Sequence, residues 1–563
     1  MKLVIIGGVA GGATAAARAR RLNEHADIVL VERGEFISFA NCGLPYYIGG
    51  VIKKRDSLFV TTAKAFQERY QIDIRLFSEV TTIDRKNKQV EIRNITTGET
   101  YRESYDKLIL SPGAEPVRPK LEGIDLENIF SLRSIPDTDR IKAFVDIQKP
   151  QSAVVVGGGF IGIEMAENLV HRGVKTTIIE KLDHVMPFLD VEMAGLLHAY
   201  LEEKGVECIR GDGIKAFTKK GSRLMLSTEL NRQIECDMAI LSVGIKPENR
   251  LAKDAGLKIG DFGGIQVDAT MRTSDPDIYA VGDAAEVFDF STGRRTMTPL
   301  AGPANKQGRI AADNVMGRRT VFKGTLGTSV VKVFDLTVAS TGSNEKMLQA
   351  YHIPHLVSYT HSGSHASYYP GAELMSIKLL FSPTNGKILG AQIIGKEGVD
   401  KRIDVLATAI HGGMTVYHLE DLELAYAPPY SSAKDPVNIA GFVAANLIKG
   451  DVQNISWEEL LHFDPQTEVL LDLRNKDELE KVGRINGALH IPLPDLRKRL
   501  SELDPKKRYI PFCAVGLRGY IGHRILTQHG FDSRNLSGGY KTFLGAKEKI
   551  MKESKRSPLW LSE

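Results

Sequence analysis

Cysteine is scarce in this chain. Four occur in 563 residues, Cys42, Cys208, Cys236 and Cys513, and no two lie close in sequence. That spacing excludes a disulfide framework and a Cys-x-x-Cys metal site, and it fits a reducing, cytoplasmic compartment. No metal is expected. Long apolar runs are also missing: none reaches the ~18 residues of a membrane span, so no membrane partner is expected. Neither sign of charge dominates, since Lys+Arg 73 against Asp+Glu 69 leaves +4. No nucleic-acid partner is expected on that balance, and any anion site must be built locally. The opening "MKLVIIGGVAGGATAAARARR" has the lysine, apolar stretch and small residues of a short secretory signal. Its glycines, however, sit where a strand would turn into a helix, and three arginines follow. At about 150 residues per domain, the length implies three to five domains.

What the chain does have is one pattern twice. "KLVIIGGVAGGATAAARARRL" leads to a strand ending in "IVLVERG", and "SAVVVGGGFIGIEMAENLVHRG" leads to "KTTIIEKLD". Each is a β-rich run, a glycine turn, an Ala/Leu-rich helix and a second strand ending in glutamate. From first glycine to acid is 25 residues in one and 23 in the other. Both match a dinucleotide-binding βαβ unit, in which glycines admit the pyrophosphate and the helix N-terminus offers free N–H groups. The second turn is complete, with Gly157, Gly159 and Gly162. The first reads Gly7, Gly8, Val9, Ala10, Gly11, Gly12, with valine at the middle glycine position. Glu32 and Glu180 are placed to accept ribose hydroxyls and to repel a 2′-phosphate, which favours NADH; Lys181 beside Glu180 leaves NADPH as an alternative.

Three further stretches each end a hydrophobic strand at a glycine turn: "KLILSPGAEP", "MAILSVGIKPE" and "TSDPDIYAVGDAAE". Asp283 in the last could take a ribityl hydroxyl of a flavin. The ordered set resembles the flavoprotein disulfide reductases with two dinucleotide-binding domains, over roughly residues 1–447. That resemblance implies an α/β fold: two Rossmann-like domains, an α+β dimerisation domain and, here, a separate α/β domain beyond them. The implied bounds are FAD-binding 1–120 and 248–323, NADH-binding 121–247, dimerisation 324–447, a linker 448–457 and a final domain 458–563. Arg33, Asn41, Ser111, Gly113 and Pro299 join the first glycine turn, Glu32 and Asp283 as implied FAD contacts.

"ISFANCGLPYY" holds one cysteine where such reductases often carry two, and the position five residues past Cys42 is Tyr47. With "SHASYYPG" and "AYAPPYSSAKDPVNIAG", this stretch resembles the single-cysteine coenzyme A-disulfide reductases. The resemblance implies that Cys42 forms a mixed disulfide with coenzyme A (CoA), whose sulfur replaces the missing second thiol. A free thiol of pKa ~8.5 would need lowering to ~6 to be mostly anionic at neutral pH, and a helix N-terminus could supply that. It further implies a homodimer in which Tyr368 and Tyr426 reach the partner's site as proton donors; the adjacent Tyr369 leaves the first open by one residue. Implied CoA contacts are Thr14, Arg18, Arg21, Ser38, Asn41, Asn305 and Lys434. Arg18 and Arg21 share a helix face, whereas Arg20 points off it as ordinary surface. Cys208 and Cys236 flank apolar strands and read as small buried hydrophobes.

Beyond "KGDVQN" a new α/β segment resembles a rhodanese domain, with Cys513 opening a loop that ends at Arg518 ahead of a helix. Converging N–H groups in such a loop form an anion nest, which with Arg518 would hold a Cys513 persulfide. Phosphatase loops are similar but run Cys-x5-Arg, against Cys-x4-Arg here. Together the parts resemble coenzyme A-disulfide/persulfide reductases, acting on CoA disulfide, CoA persulfide or polysulfide. The rival readings are an NADH oxidase or peroxidase cycling through a Cys42 sulfenic acid, and a redox-sensing binding protein.

Overall fold

Lys2–Ile6, Asp27–Val31, Lys107–Leu110 and Ile278–Ala280 are almost wholly apolar, as strands of a parallel sheet buried on both faces must be. With Asp73–Arg75 they form one sheet, in the order 278–280, 107–110, 2–6, 27–31, 73–75. The pairings are parallel, Leu3 lying beside both Ile28 and Lys107. A second parallel sheet has the order Glu207–Arg210, Lys175–Glu180, Ser152–Val156, Met238–Leu241, Ile129–Ser131. In both sheets the strand entering the glycine turn is central, so the turn opens at the carboxyl edge where α/β sheets bind ligands. Smaller antiparallel sheets flank them, 78–104 and 214–236. Cys236 lies in the core beneath the latter, its thiol pushed up to about 12 by burial, and Cys208 is half-buried, as a structural role requires.

The computed structural model describes residues 1–553 and divides into two units. The first is Met1–Asp183 with Gly205–Gly327, which holds both parallel sheets. The second is His184–Lys204 with the chain from Thr328 onward. Its first part is a five-stranded antiparallel sheet, Ser329–Val333, Leu336–Gly342, Ile388–Gly395, Leu374–Phe381, Leu356–Gly363, packed with helices Val399–His411 and Pro436–Lys449. Helix Val191–Glu203, which connects two strands of the second parallel sheet, belongs to this unit. Lys378 helps to hold it there: fully buried, its ammonium reaches Asp190 at 2.9 Å and Glu192 and Glu345 at 2.6 Å. Those three carboxylates cluster tightly enough to hold a cation, and the lysine is that cation.

The second unit ends in a parallel sheet, Leu489–His490, Glu468–Asp472, Arg508–Phe512, with helices Leu517–Gln528 and Gly539–Gly545. The stretch expected as a linker is itself structured: Asn454–Ile455 pairs with Asn535–Leu536, and Trp457 is buried in the core.

Candidate functional site

The two glycine turns are built alike. Gly7 and Gly157 have φ of 95° and 101°, outside the range open to most side chains. A Cβ at either would overlap the carbonyl of the serine that follows the neighbouring strand, Ser111 or Ser242. A Cβ at Gly12 or Gly162 would overlap the carbonyl oxygen of Gly7 or Gly157. The first and third glycines are therefore packing glycines. Gly159 differs, since nothing lies within 4 Å of its missing Cβ, which leaves the approach to the turn open. Val9 fills the matching position in the first turn and is half-buried.

Each acid braces its own turn. Glu32 accepts from the Gly8 N–H at 2.8 Å and the Gly34 N–H at 2.7 Å. Glu180 accepts from the Gly158 N–H at 2.7 Å and the Leu182 N–H at 2.8 Å. This bracing was not legible in the motif, which assigned both acids to ribose alone; their remaining lone pairs are free for that task. Lys181 is drawn to Glu229 at 2.9 Å. Arg33 is exposed beside Glu115; Ser111 follows the strand next to that of the first turn, and Asp283 lies in the turn Gly282–Ala284 that follows the strand beyond it. Gly11 lies against Ser111 and Val281. Gly113 has open space around it and Pro299 is exposed. A closed, N–H-rimmed turn with a braced carboxylate and an aspartate at the next strand end fits FAD. The open second turn fits NADH.

Cys42 lies in a short turn, Asn41–Gly43, ahead of helix Leu44–Ile48. Tyr47 packs beneath the Lys142 ammonium, 5.1 Å from its ring, so no second thiol faces Cys42. Helix 44–48 abuts the nucleotide helix Phe160–His171 so closely that Gly49 has no room for a Cβ beside Asn168. That contact brings in Glu164, which the sequence reading missed. Tyr46 donates to Glu164 at 3.2 Å, and burial pushes the Glu164 carboxyl up to about 7. The Cys42 thiol is raised, against the expected lowering: desolvation is the largest cause, then the charges of Glu164 and Asp283, with only its own backbone N–H opposing. Its surface is exposed, yet the surrounding protein excludes enough water for desolvation to lead. Burial likewise raises Asp283.

Of the implied CoA contacts in the first unit, Thr14 donates to Asn305 across the seam of two helices. One turn further along, Arg18 pairs with Asp313 at 2.7 Å, so its charge is already balanced. Arg21 is exposed and makes no hydrogen bond or ion pair among the described residues. Arg20 is not surface, as its placement off the helix face suggested. It is buried and donates to the carbonyls of Asn23, Glu24, Ala26, Tyr70 and Gln71. Ser38 precedes the Cys42 turn and Asn41 opens it. In the second unit, Tyr368 and Tyr426 join hydroxyl to hydroxyl at 2.5 Å, both rings exposed, and the bond raises Tyr368. Lys434 is exposed. A cavity of about 490 Å³, walled by His365, Lys401, Arg402, Pro429 and Tyr430, opens beside Tyr426.

Cys513 directly follows strand Arg508–Phe512, and its Sγ accepts from the Gly516 N–H at 3.2 Å. The helix starts at Leu517, so Arg518 lies in its first turn rather than ahead of it. Its guanidinium is held by both oxygens of Glu478, each at 2.6 Å, and also reaches Cys513. The Cys513 carbonyl accepts from Tyr540, and that of Ala514 from Lys541.

Residues 1–308 match the family described as pyridine nucleotide-disulphide oxidoreductase, residues 328–436 its dimerisation domain, and residues 456–546 a rhodanese-like domain. The chain is 36% identical over 447 residues to a coenzyme A disulfide reductase of Staphylococcus haemolyticus, which covers 79% of this chain and 100% of that protein. It is similar to the reduced CoADR-RHD of Bacillus anthracis, with 50% identity, a TM-score of 0.95, and coverage of 97% and 98%. A NAD-dependent persulfide reductase from A. fulgidus is 38% identical with a TM-score of 0.90, covering 96% of this chain and 100% of that one. No helix among the described residues is long and apolar enough to cross a membrane. The chain belongs to the pyridine nucleotide-disulphide oxidoreductase family, on the branch of the coenzyme A disulfide reductases, with a rhodanese-like domain at its C-terminal end.

Proposed function

We propose that the protein is an NADH-dependent reductase of coenzyme A disulfide and coenzyme A persulfide, with polysulfide as a further sulfur source. Bound FAD supplies the two-electron relay between NADH and the sulfur centre. Cys42 as thiolate attacks one sulfur of the disulfide. A Cys42–S–S–CoA bond forms, the substrate S–S bond breaks, and CoA thiolate departs, or hydrosulfide when the substrate is the persulfide. Two electrons and a proton then return Cys42 to the thiolate and release CoA thiol. Thr14, Arg21, Ser38, Asn41, Asn305 and Lys434 are the contacts proposed for CoA. The paired Tyr368 and Tyr426 of one protomer serve as proton donors to its partner's site in a homodimer. Cys513 carries sulfane sulfur to or from CoA.

The observation that carries this reading is the lone Cys42 with Tyr47, packed under Lys142, in place of a resolving thiol. The acceptor must bring the second sulfur. Under anaerobic conditions Cys42→Ser should lose NADH consumption with CoA disulfide by about a thousandfold or more. It should also lose NADH-dependent sulfide release from CoA persulfide. Full sulfide release by that variant would overturn the scheme.

A further inference from the structure

One cation stands directly beside the acid of the second glycine turn. Glu180 ends strand Lys175–Glu180 and directs its carboxylate to the Gly158 N–H, and Lys181 is the next residue. Backbone bonds fix the chain on either side of that lysine. The Asp212 N–H donates to the Glu180 carbonyl at 3.2 Å, and the Gly211 N–H to the Leu182 carbonyl at 2.9 Å. What can move is the lysine side chain, whose flexible four-carbon stem gives the ammonium a wide reach. A dinucleotide with its ribose at Glu180 would bring any 2′-phosphate into that reach.

The lysine is already held. Its ammonium lies 2.9 Å from Glu229, in the turn between strands Arg223–Thr228 and Gln233–Cys236. Glu229 is not a loose surface acid. Its N–H donates to the Gly213 carbonyl at 2.8 Å, and a Cβ on Gly213 would come within 2.9 Å of both Glu229 carboxylate oxygens. Glycine at 213 thus makes the seat for that carboxylate. Two other cations of this wall are occupied as well. Arg232 approaches buried Asp212 at 3.4 Å, and Arg210, beside Glu180 in the strand register, is itself engaged.

We propose that Glu229 sets the preference for NADH over NADPH. It holds Lys181 against the hairpin and adds its own negative charge to that of Glu180. A 2′-phosphate therefore meets two carboxylates and a lysine whose charge is already balanced. The proposal rests on the reading of the protein as NADH-dependent and adds a determinant from outside the glycine turn. Both members of the pair are exposed, so the lysine is withheld by a modest margin that one substitution can reverse.

The test uses the full-length, FAD-loaded enzyme under anaerobic conditions, with bleaching of the flavin followed against the concentration of NADH or NADPH. In the wild type, half-saturation should need about tenfold more NADPH than NADH. Glu229→Gln keeps the shape that fits over Gly213 and removes the charge. It should lower the NADPH needed for half-saturation about fivefold and leave NADH within about twofold. The limiting rate of bleaching should stay unchanged for both, the mark of a change in binding alone. Adenosine 2′,5′-bisphosphate, competing against NADH, should gain the same factor, whereas adenosine 5′-phosphate should gain nothing. Lys181→Ala alone should alter neither nucleotide by more than about twofold, and combined with Glu229→Gln it should erase the gain. An unchanged NADPH-to-NADH ratio in Glu229→Gln, or a gain that survives the loss of Lys181, overturns the proposal and leaves the NADH reading intact. Equal half-saturation by both nucleotides in the wild type overturns both.

Discussion

Cys42 sits among groups that disfavour its negative charge. Desolvation, Glu164 and Asp283 all raise the thiol, and one backbone N–H opposes them. In a mixed disulfide the same sulfur carries no charge and none of these penalties applies, so the surroundings favour the disulfide over the thiolate. A thiol of raised pKa is also the poorer leaving group, which directs departure toward the CoA sulfur. Glu164 titrates near 7, so its charge appears across the working range and lifts the thiol further as pH rises. Glu164→Gln should therefore lower the Cys42 pKa, since it removes one of the charges that raise the thiol. The pH dependence of Cys42 alkylation in the NADH-reduced enzyme measures this; an unmoved profile would mean that Glu164 does not act on the thiol. None of this environment is legible around residue 42, because Glu164 and Asp283 come from distant strands and helices. The cysteine itself, with Asn41 and Gly43, was legible because its neighbours are local.

The two βαβ turns show what sequence does reveal. Their glycines answer to constraints inside a single turn, so the spacing of Gly157 and Gly162, and of Gly7 and Gly12, reads directly as geometry. The bracing of each turn by Glu32 or Glu180 depends on strand order and stayed hidden. So did Arg20, whose five carbonyl partners include two some 50 residues away. Arg518 was read as a thiol partner and does reach Cys513, but its pairing with Glu478, 40 residues earlier, stayed hidden because no motif ties that acid to the loop. The duplication yields a paired prediction. Alanine at Gly12 or Gly162 puts a Cβ onto a carbonyl oxygen of its own turn, with no flexible side chain to yield. Gly162→Ala should weaken NADH binding about tenfold or more while FAD stays bound, and Gly12→Ala should lose FAD instead. Flavin absorbance after gel filtration and NADH titration of flavin reduction separate the two. Equal FAD retention by both variants would deny the division of labour.

In the second unit the rhodanese-like domain is fastened to the antiparallel sheet and to helix Val191–Glu203 rather than strung beyond them. Neutral His361, which burial pushes down to about 3, bridges Ser376 at 2.8 Å and Thr542 at 2.9 Å. Glu458, at the start of that domain, is raised to about 7 by burial and by Glu345 and Glu192. An acid raised on folding stabilises the fold most below its ordinary range, and that contribution falls as pH climbs through about 7. Glu458→Gln should thus gain about 1–2 kcal/mol over the wild type between pH 5 and pH 8, seen as a widening gap in thermal midpoints. A constant gap would show that Glu458 is already ionised at the lower pH.

One close approach within this unit is between backbones. A Cβ on Gly195 would overlap the Gly545 carbonyl, and one on Gly545 would overlap that of Glu192, so helices Val191–Glu203 and Gly539–Gly545 touch with no side chain between them. Two polar backbones meeting this closely leave no adjustable atom, and a methyl group must part the helices. The same short helix supplies the Tyr540 N–H that holds the Cys513 carbonyl at 2.8 Å, so parting it disturbs the sulfur-carrying loop without touching Cys42. Gly195→Ala should therefore lower the thermal midpoint by several degrees, in line with about 1–3 kcal/mol of overpacking. It should slow sulfur loading of Cys513 and leave CoA-disulfide reduction within about twofold of the wild type. Loss of both activities in a folded, FAD-loaded variant would show that the two centres depend on this contact together, and the separable docking argued from Gly195 and Gly545 would fail.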